Sequence, residues 1–219
     1  MNKLAVPDLI AINGELAKNA YIRAFYPLDN LVQVEALRFQ HLQENNPTKQ
    51  GNLSSTENSN TLLVLGDYLD GNTRHQMHLL DQACEFLYFK VKIVMKFHPG
   101  CDLDLSEYIN LDVIISSEPL NDLLERYSIV YSGNITSAIV EAYCLGNNLI
   151  IAHNPTQLDL SPLYGYSDIV NVHNSEELSS AIVNFFTMNL KRNPIRNKLF
   201  NFNPELCGWI NILGKLNKN

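Results

Sequence analysis

The sequence lacks the features that mark several common classes of protein. Only 18% of its 219 residues are charged and its formal net charge is −7, so it has no excess of basic residues with which to bind nucleic acid in general. Its cysteines form no CxxC pair and show no metal-ligand spacing, so we expect no bound metal. They are Cys84, Cys101, Cys144 and Cys207. We expect free thiols in a reducing compartment, with Cys84 and Cys144 on apolar helix faces.

Long apolar runs are also missing. The first residues, MNKLAVPDLIAING, contain no apolar core of signal-peptide length, and no run reaches transmembrane length. We therefore expect a cytoplasmic protein without a transmembrane segment. Peripheral association with the inner membrane is compatible with this expectation. The phosphate-binding patterns GxGxxG (after the first strand of the main domain) and GxxxxGK[ST] are absent too, so the sequence predicts no dinucleotide cofactor and no P-loop.

One polar stretch, residues 44–60 (ENNPTKQGNLSSTENSN), divides the chain. It is rich in Asn and Ser and has no apolar periodicity, which predicts a flexible linker or a long surface loop. Residues 1–43 before it are too few for an independent core, so we expect an arm that packs on something else. In this arm we predict a strand at Leu9–Ile12, a helix at Glu15–Phe25 and a second helical stretch at Asp29–Leu42.

Residues 61–219 alternate between short β-rich apolar runs and helical patterns. This alternation predicts an α/β fold with a doubly wound, parallel, six-stranded Rossmann-like sheet. The predicted strands are Thr61–Leu65, Lys92–Lys96, Asp112–Ile115, Ser128–Tyr131, Leu149–Ala152 and Asp168–Val172. Helices are predicted at Asn72–Phe89, Leu105–Ile109, Pro119–Glu125, Ser175–Asn189 with Ser175 as its cap, and 203–216.

The main domain is organised around Tyr127–Asn154, which is predicted to form a strand, a polar turn, a helix and a second strand. In the helix, apolar residues recur at a spacing that faces a sheet: Ile135, Ala138, Ile139, Ala142 and Tyr143. Gly146 is expected to end this helix, because glycine accepts a left-handed conformation.

The turn before this helix carries a group of small polar residues. We expect Ser132 or Asn134 to cap the helix, while Gly133 lets another group approach the backbone. Thr136 and Ser137 place hydroxyls in the first helical turn, where free N–H groups and the helix dipole favour an anion. The alternative is an ordinary helix cap with no ligand.

Polar residues from three strands are predicted to meet at this turn. With the strand order 3-2-1-4-5-6, a ligand crevice opens between the first and fourth strands. Gly66 and Asp67 then lie opposite the turn, with Lys96 and His98 alongside at the end of the second strand. The alternative for His98 is a histidine at a strand end, bonded to nearby backbone. Glu141 either points to solvent or accepts hydrogen bonds from a ligand such as a ribose diol.

Two segments of this domain resemble a known enzyme family. Lys96-Phe97-His98-Pro99, followed by SGNITSAIVEAYCLGNNLII, resembles the C-terminal, donor-binding domain of GT-B-type glycosyltransferases. More narrowly it is similar to bacterial surface-carbohydrate enzymes of the sialyltransferase, polysialyltransferase and capsule-transferase group, which have an HP motif and a later Ser/Thr-rich turn. The arm, with VPDLIAINGELAKNAY and LVQVEALRF, resembles the segment that joins the two halves of such proteins.

The resemblance implies a nucleotide-sugar donor as ligand, with a CMP-sugar as the first choice. It implies that His98 of the His98-Pro99 motif, together with Ser132, Thr136 and Ser137, holds the phosphate and sugar acid of that donor. This agrees with chemistry, because a transferase without a metal must neutralise the leaving phosphate with hydrogen-bond donors. Lys96, His98 and a helix N-terminus would supply them.

The family's N-terminal acceptor domain, which usually supplies the catalytic base, is absent from this sequence. The catalytic residues are therefore unassigned, and a separate acceptor domain or partner chain is expected. One alternative is a non-catalytic interaction or scaffold module derived from such a domain, with Arg38, Phe39 and Trp209 on partner-facing surfaces. Another is a nucleotide-sugar epimerase of the two-domain, non-hydrolysing type.

Overall fold

A computed structural model of the chain describes residues 7–44, 60–101, 103–188 and 199–216. Within these ranges the strands are β1 (Ile10–Ile12), β2 (Leu31–Gln33), β3 (Thr61–Leu65), β4 (Lys92–Lys96), β5 (Asp112–Ile115), β6 (Ile129–Gly133), β7 (Asn148–Ala152) and β8 (Val170–Val172). The helices are α1 (Glu15–Arg23), α2 (His41–Glu44), α3 (Asp70–Glu85), α4 (Leu120–Arg126), α5 (Ala138–Leu145), α6 (Ser175–Met188) and α7 (Cys207–Leu216).

The chain divides into two compact units, residues 50–194 and residues 1–49 with 195–219. The predicted division grouped residues 203–216 with the sheet, whereas their contacts group them with the arm. The predicted linker, residues 44–60, lies outside the described residues except at its two ends.

Residues 50–194 contain a six-stranded parallel sheet in the order β5-β4-β3-β6-β7-β8. Numbered within the sheet, this is the order 3-2-1-4-5-6, so the predicted doubly wound parallel sheet is confirmed. β3, β6 and β7 are buried along their whole length, as expected for central strands of a sheet that is covered on both faces. Apolar side chains from these strands and from α3 and α6 form the core, among them Leu62, Val64, Met77, Leu80, Tyr131, Ile150 and Ile182.

Helix ends in this unit follow local chemistry. Gly146 closes α5 with a φ of 85°, the left-handed conformation predicted for it. At the start of α6, Asn174 rather than Ser175 provides the cap, because its Oδ1 accepts the Glu177 N–H at 2.8 Å. The Glu177 carboxylate in turn accepts the N–H of His173 at 2.8 Å, which satisfies a second free donor.

The predicted short helix at Leu105–Ile109 is not present. Residues 103–111 form turns instead, in which Leu103 and Tyr108 are buried. Asp104 favours this course, because its carboxylate accepts the Ser106 N–H at 2.9 Å and so stabilises a turn in place of a helix.

The other unit holds the arm and the C-terminal helix. β1 and β2 form a two-stranded parallel sheet, and α1 agrees with the predicted helix. The second predicted helix, Asp29–Leu42, is wrong, because Leu31–Gln33 pairs with β1 and the rest forms short 3₁₀ turns and α2. The buried apolar side chains of this unit include Ile12, Val34, Phe39, Leu42, Leu199 and Phe200. The rings of Phe39 and Phe200 are stacked, with 4.3 Å between their centroids.

A buried carboxylate fixes the start of α7 in this unit. Glu35 is 2% exposed, and its two carboxylate oxygens accept the N–H groups of Gly208 at 2.9 Å and Trp209 at 3.2 Å. Its backbone carbonyl accepts the Trp209 indole N–H at 2.9 Å. Burial by itself would raise the pKa of Glu35, but the hydrogen bonds from Gly208, its own N–H and Trp209 hold that pKa below the ordinary value. The ionised carboxylate therefore stabilises the docked helix.

The first prediction concerns this carboxylate. Because folding lowers the pKa of Glu35, its stabilisation is present above its ordinary pKa of 4.5 and is lost as the pH falls through the folded value. We expect Glu35→Gln to lower the free energy of unfolding by about 2 kcal/mol at pH 7, with a smaller difference at pH 3. Trp209 is the only tryptophan, so its fluorescence during urea unfolding reports on α7 directly. Glu15→Gln, at an exposed site in α1, is the control. If the difference in free energy of unfolding between wild type and Glu35→Gln were larger at pH 3 than at pH 7, this role of the ionised carboxylate would be contradicted.

Candidate functional site

The carboxyl ends of β4, β3 and β6 lie side by side at one edge of the sheet. Leu65, at the end of β3, is in register with Lys96 on one side and with Ser132 on the other. The strand order reverses between β3 and β6, and in open α/β sheets such a point leaves a crevice beyond the strand ends. The strand-order reversal is therefore present at the predicted position, and the ligand crevice expected there stays a prediction.

Gly66 and Asp67 form the β3 side of the crevice. The Gly66 N–H donates to the Lys96 carbonyl at 3.0 Å, which ties the first residue after β3 to the end of β4. Asp67 is fully buried, and its carboxylate accepts the Leu69 N–H at 3.1 Å and the Asn72 side-chain amide at 3.3 Å. These bonds hold the loop that leads into α3.

Ser132 and Gly133 form the β6 side. A Cβ on Gly133 would lie 3.6 Å from the Asp67 carboxylate, so the two sides of the crevice are in contact range. Ser132 is 1% exposed, and its hydroxyl donates to the Leu65 carbonyl at 3.2 Å. This hydroxyl bridges the two strands and does not cap α5, which corrects the expectation that Ser132 is a helix cap.

Asn134 does not cap α5 either. It is 3% exposed, and its side-chain amide donates to Asp159 at 3.4 Å. The residue at the cap position is Ser137, and α5 begins at Ala138. The Thr136 hydroxyl accepts the Ala138 N–H at 3.4 Å, so its own hydrogen remains able to donate. Thr136 and Ser137 are half-buried and lie just before the helix, not in its first turn as predicted.

Glu141 lies in the first turn of α5 and is half-buried. Both of its helical neighbours, Val140 and Ala142, are buried. Glu141 therefore lies in the helical turn that directly follows Thr136 and Ser137.

Lys96 and His98 occupy the β4 side, and their contacts differ. The Lys96 ammonium donates to the Glu118 carbonyl at 2.6 Å, which directs it toward the loop between β5 and α4. His98 is exposed and accepts the Gly100 N–H on Nδ1 at 3.1 Å, so the neutral ring carries its hydrogen on Nε2. Pro99 is exposed beside it. The ring of Tyr68 approaches His98 edge-on at 6.1 Å between centroids.

The structure thus places Gly66 close to the backbone of His98, and Gly133 close to the Asp67 carboxylate. The N atom of His98 lies 3.6 Å from where a Gly66 Cβ would be. Lys96 is adjacent in the sheet but bonded away from the turn. The roles predicted for these residues in ligand binding remain predictions.

Two groups of contacts at this site were not foreseen. Gln76, buried in α3, donates to the carbonyls of Leu65 and Tyr131, both at 3.2 Å, and so joins β3 to β6. The Tyr131 hydroxyl returns a bond to the Gln76 carbonyl at 3.0 Å. Asp159, in the long loop before β8, meets the turn through Asn134. Neither Gln76 in a helix nor Asp159 in a loop belongs to a sequence pattern that would have marked it as part of the site.

Other parts of the described chain offer no competing site of clear chemistry. In residues 7–44, 60–101, 103–188 and 199–216, no group of three or more His, Cys, Asp or Glu side chains is arranged to hold a metal. An open cavity of about 640 Å³ lies beside β8 and α6, lined by residues that include Asn171, Asn174, Asn184 and Met188. It lies at the edge of the sheet, away from the strand-order reversal, and the N-terminus of α6 beside it is already capped by Asn174 and Glu177. We therefore take the edge of the sheet at the β3–β6 strand-order reversal as the candidate functional site.

No helix in the described part of the chain is both long and apolar enough to span a membrane.

Comparison with solved structures identifies the fold. A glycosyltransferase from Rickettsia africae has 13% identity and a TM-score of 0.56, and the match covers 97% of this chain and 64% of that protein. Anabaena HepE, solved in complex with UDP-glucose, has 14% identity and a TM-score of 0.52, with 90% of this chain and 58% of HepE covered. The fold is the Rossmann-like fold of the GT-B glycosyltransferases.

TarM, with 11% identity and a TM-score of 0.52, matches over 83% of this chain but only 37% of its own length. The chain thus spans less than two thirds of each of these three proteins. The sequence matches no protein-family model and no curated protein.

The second prediction tests what Lys96 does. Because its ammonium is bonded to a backbone carbonyl, we expect Lys96→Met to destabilise the fold by about 1.5–3 kcal/mol in urea unfolding. Lys92→Met, at the exposed other end of the same strand, is the matched control. Unchanged stability with weaker, salt-sensitive nucleotide binding would instead indicate the phosphate-binding role.

Proposed function

We propose that this chain is the donor-binding half of a glycosyltransferase in bacterial surface-polysaccharide synthesis. The observation that carries the proposal is the strand-order reversal between β3 and β6, where Gly133 lies beside Asp67 and α5 begins directly after Thr136 and Ser137. An acceptor domain, in another chain or in further sequence, would complete the enzyme. The fold shared with HepE, which was solved with UDP-glucose, supports this proposal.

The charges at the crevice restrict where a phosphate can lie. The buried Asp67 carboxylate is close to Gly133, so an anion on that side of the turn would be repelled. The start of α5 offers the opposite environment, with backbone N–H groups, the Thr136 hydroxyl and the positive end of the helix dipole. We therefore assign the phosphate to the α5 end of the turn.

His98 is assigned to the same phosphate. Its Nδ1 is used by the Gly100 N–H, so the ring offers Nε2–H as a donor without needing a positive charge. Such a donor, aimed at the leaving phosphate, stabilises the negative charge that develops as the glycosidic bond to the nucleotide breaks. This role does not depend on a metal ion.

Glu141 is assigned to the ribose. It lies one helical turn from the phosphate position, and a half-buried carboxylate accepts two hydrogen bonds from a diol. Within the fold, the Lys96–Pro99 motif favours the sialyltransferase-like group and hence a cytidine nucleotide. HepE bound to UDP-glucose supports a uridine nucleotide as an alternative, so both belong in the test.

The third prediction tests the function itself. Titration calorimetry against CMP, CDP, UDP, GDP and UDP-glucose should show a pyrimidine nucleotide with a dissociation constant below about 1 mM, which corresponds to roughly −4 kcal/mol. A nucleotide-dependent rise in melting temperature of a monomer would count against a scaffold role. Absence of binding by all five at millimolar concentration would contradict the proposal, and turnover of UDP-glucose without an acceptor would favour an epimerase.

The fourth prediction separates the roles of two residues. His98→Ala should weaken nucleotide binding by roughly ten- to a hundredfold and leave the free nucleoside unaffected, because the lost bond is to a charged phosphate. Glu141→Gln should weaken nucleoside and nucleotide equally, and the 2′-deoxy ligands should lose their disadvantage in that variant.

The same calorimetric assay checks both variants, with His78→Ala, an exposed histidine on α3, as the control. Equal losses of nucleoside and nucleotide in His98→Ala, with the circular dichroism unchanged, would show that the phosphate assignment is wrong.

A further inference from the structure

A chain of polar contacts connects the Ser132–Ser137 turn to β8, the strand at the edge of the sheet. The Asn134 amide donates to Asp159 Oδ1 at 3.4 Å, and Asp159 Oδ2 lies 3.7 Å from Nδ1 of His153. Nε2 of His153 lies 2.7 Å from Oδ1 of Asn171 in β8. The chain of contacts therefore links the ends of three neighbouring strands, β6, β7 and β8, at the edge where the crevice opens.

Asp159 is well placed to act as the link in this chain. Its Oδ1 also accepts the Ser161 N–H at 2.9 Å, which fixes the carboxylate to its own loop. Asn134 is 3% exposed, so its amide needs a protein partner to offset the loss of water. Removing the carboxylate would leave a buried donor without its acceptor and would favour a different course of the turn.

His153 lies on the other side of Asp159. Its Nε2 contacts Asn171 Oδ1 at 2.7 Å, so a neutral ring donates there, and its Nδ1 is 3.7 Å from Asp159 Oδ2, beyond hydrogen-bond distance. The other groups beside His153 are the His173 ring, at 5.1 Å between centroids, and Glu177, which is bonded to the His173 backbone. The imidazole is 13% exposed, so its contacts are shielded from water.

We propose that Asp159, held by the Ser161 N–H, is a positioning residue that keeps the Asn134 amide and the Ser132–Ser137 turn in the conformation that receives the donor phosphate. The role in ligand binding rests on the proposed function, whereas the effect on the turn does not. Asp159 itself does not touch the ligand. Asp159 therefore favours binding of an anion although it is acidic, because the hydrogen bond that it accepts from Asn134 fixes the turn.

The sign of the effect distinguishes this role from simple electrostatics. Removing a negative charge near an anionic ligand strengthens binding by Coulomb's law. Positioning predicts the reverse, so Asp159→Ala should weaken UDP binding about tenfold, since an unpaired buried amide costs on the order of 1.4 kcal/mol. Asp159→Asn keeps an acceptor for Asn134 without the charge and should restore most of the affinity.

The test combines ligand binding with a measurement on the ligand-free protein. UDP titrations should show weaker binding for Asp159→Ala, and near wild-type binding for Asp159→Asn and for the control His173→Ala. Hydrogen exchange of a peptide that covers residues 132–138, without ligand, should be faster in Asp159→Ala only. The double variant Asn134→Ala/Asp159→Ala should bind no more weakly than the weaker single variant, because the two residues act as one unit.

The outcomes separate the two proposals. Tighter UDP binding by Asp159→Ala, or unchanged exchange in the turn, would overturn the positioning role. A wild-type protein that binds no nucleotide would contradict the proposed function, and the exchange data would still decide whether Asp159 holds the turn.

Discussion

The alignment of β3 with β6 is the constraint on which the rest of this structure depends. These two strands are far apart in the sequence, and their pairing in parallel register is what produces the strand-order reversal. The Gln76 amide and the Ser132 hydroxyl both donate to the Leu65 carbonyl, so the last residues of the two strands are joined by side chains as well as by the ladder. A shift of one residue would turn every side chain of β6 to the other face of the sheet. The position of the turn and the start of α5 follow from this register.

Much of the sheet was predictable because its strands have a clear local sequence pattern. Short runs such as Lys92–Lys96 and Thr61–Leu65 are β-rich and bounded by polar turns, and their bounds match the structure. The arm was harder, since Leu31–Gln33 reads as part of a helix and becomes a strand only through pairing with Ile10–Ile12. Tertiary pairing overrides local preference in such short segments.

The site was predictable to the level of strand ends and no further. The order of strands places Gly66, Ser132 and His98 at one edge, but the direction of each side chain depends on partners that sequence spacing does not reveal. Ser132 turns into the sheet, Lys96 turns to Glu118, and Asn134 turns to Asp159. Asp159 is 25 residues from its partner and lies in a loop, so no periodic pattern connects the two.

The described residues contain a six-stranded parallel sheet with the Rossmann-like fold of the GT-B glycosyltransferases, and the chain spans 58% of HepE and 64% of the Rickettsia protein. As we propose it, one half of an enzyme binds the nucleotide through a helix N-terminus, hydroxyls and the Nε2–H of a histidine. The most direct measurement is a crystal structure of the chain grown with CMP or with UDP. We expect phosphate density at the start of α5 with the ribose beside Glu141, and a well-ordered nucleotide in the cavity beside β8 and α6 would contradict the proposal.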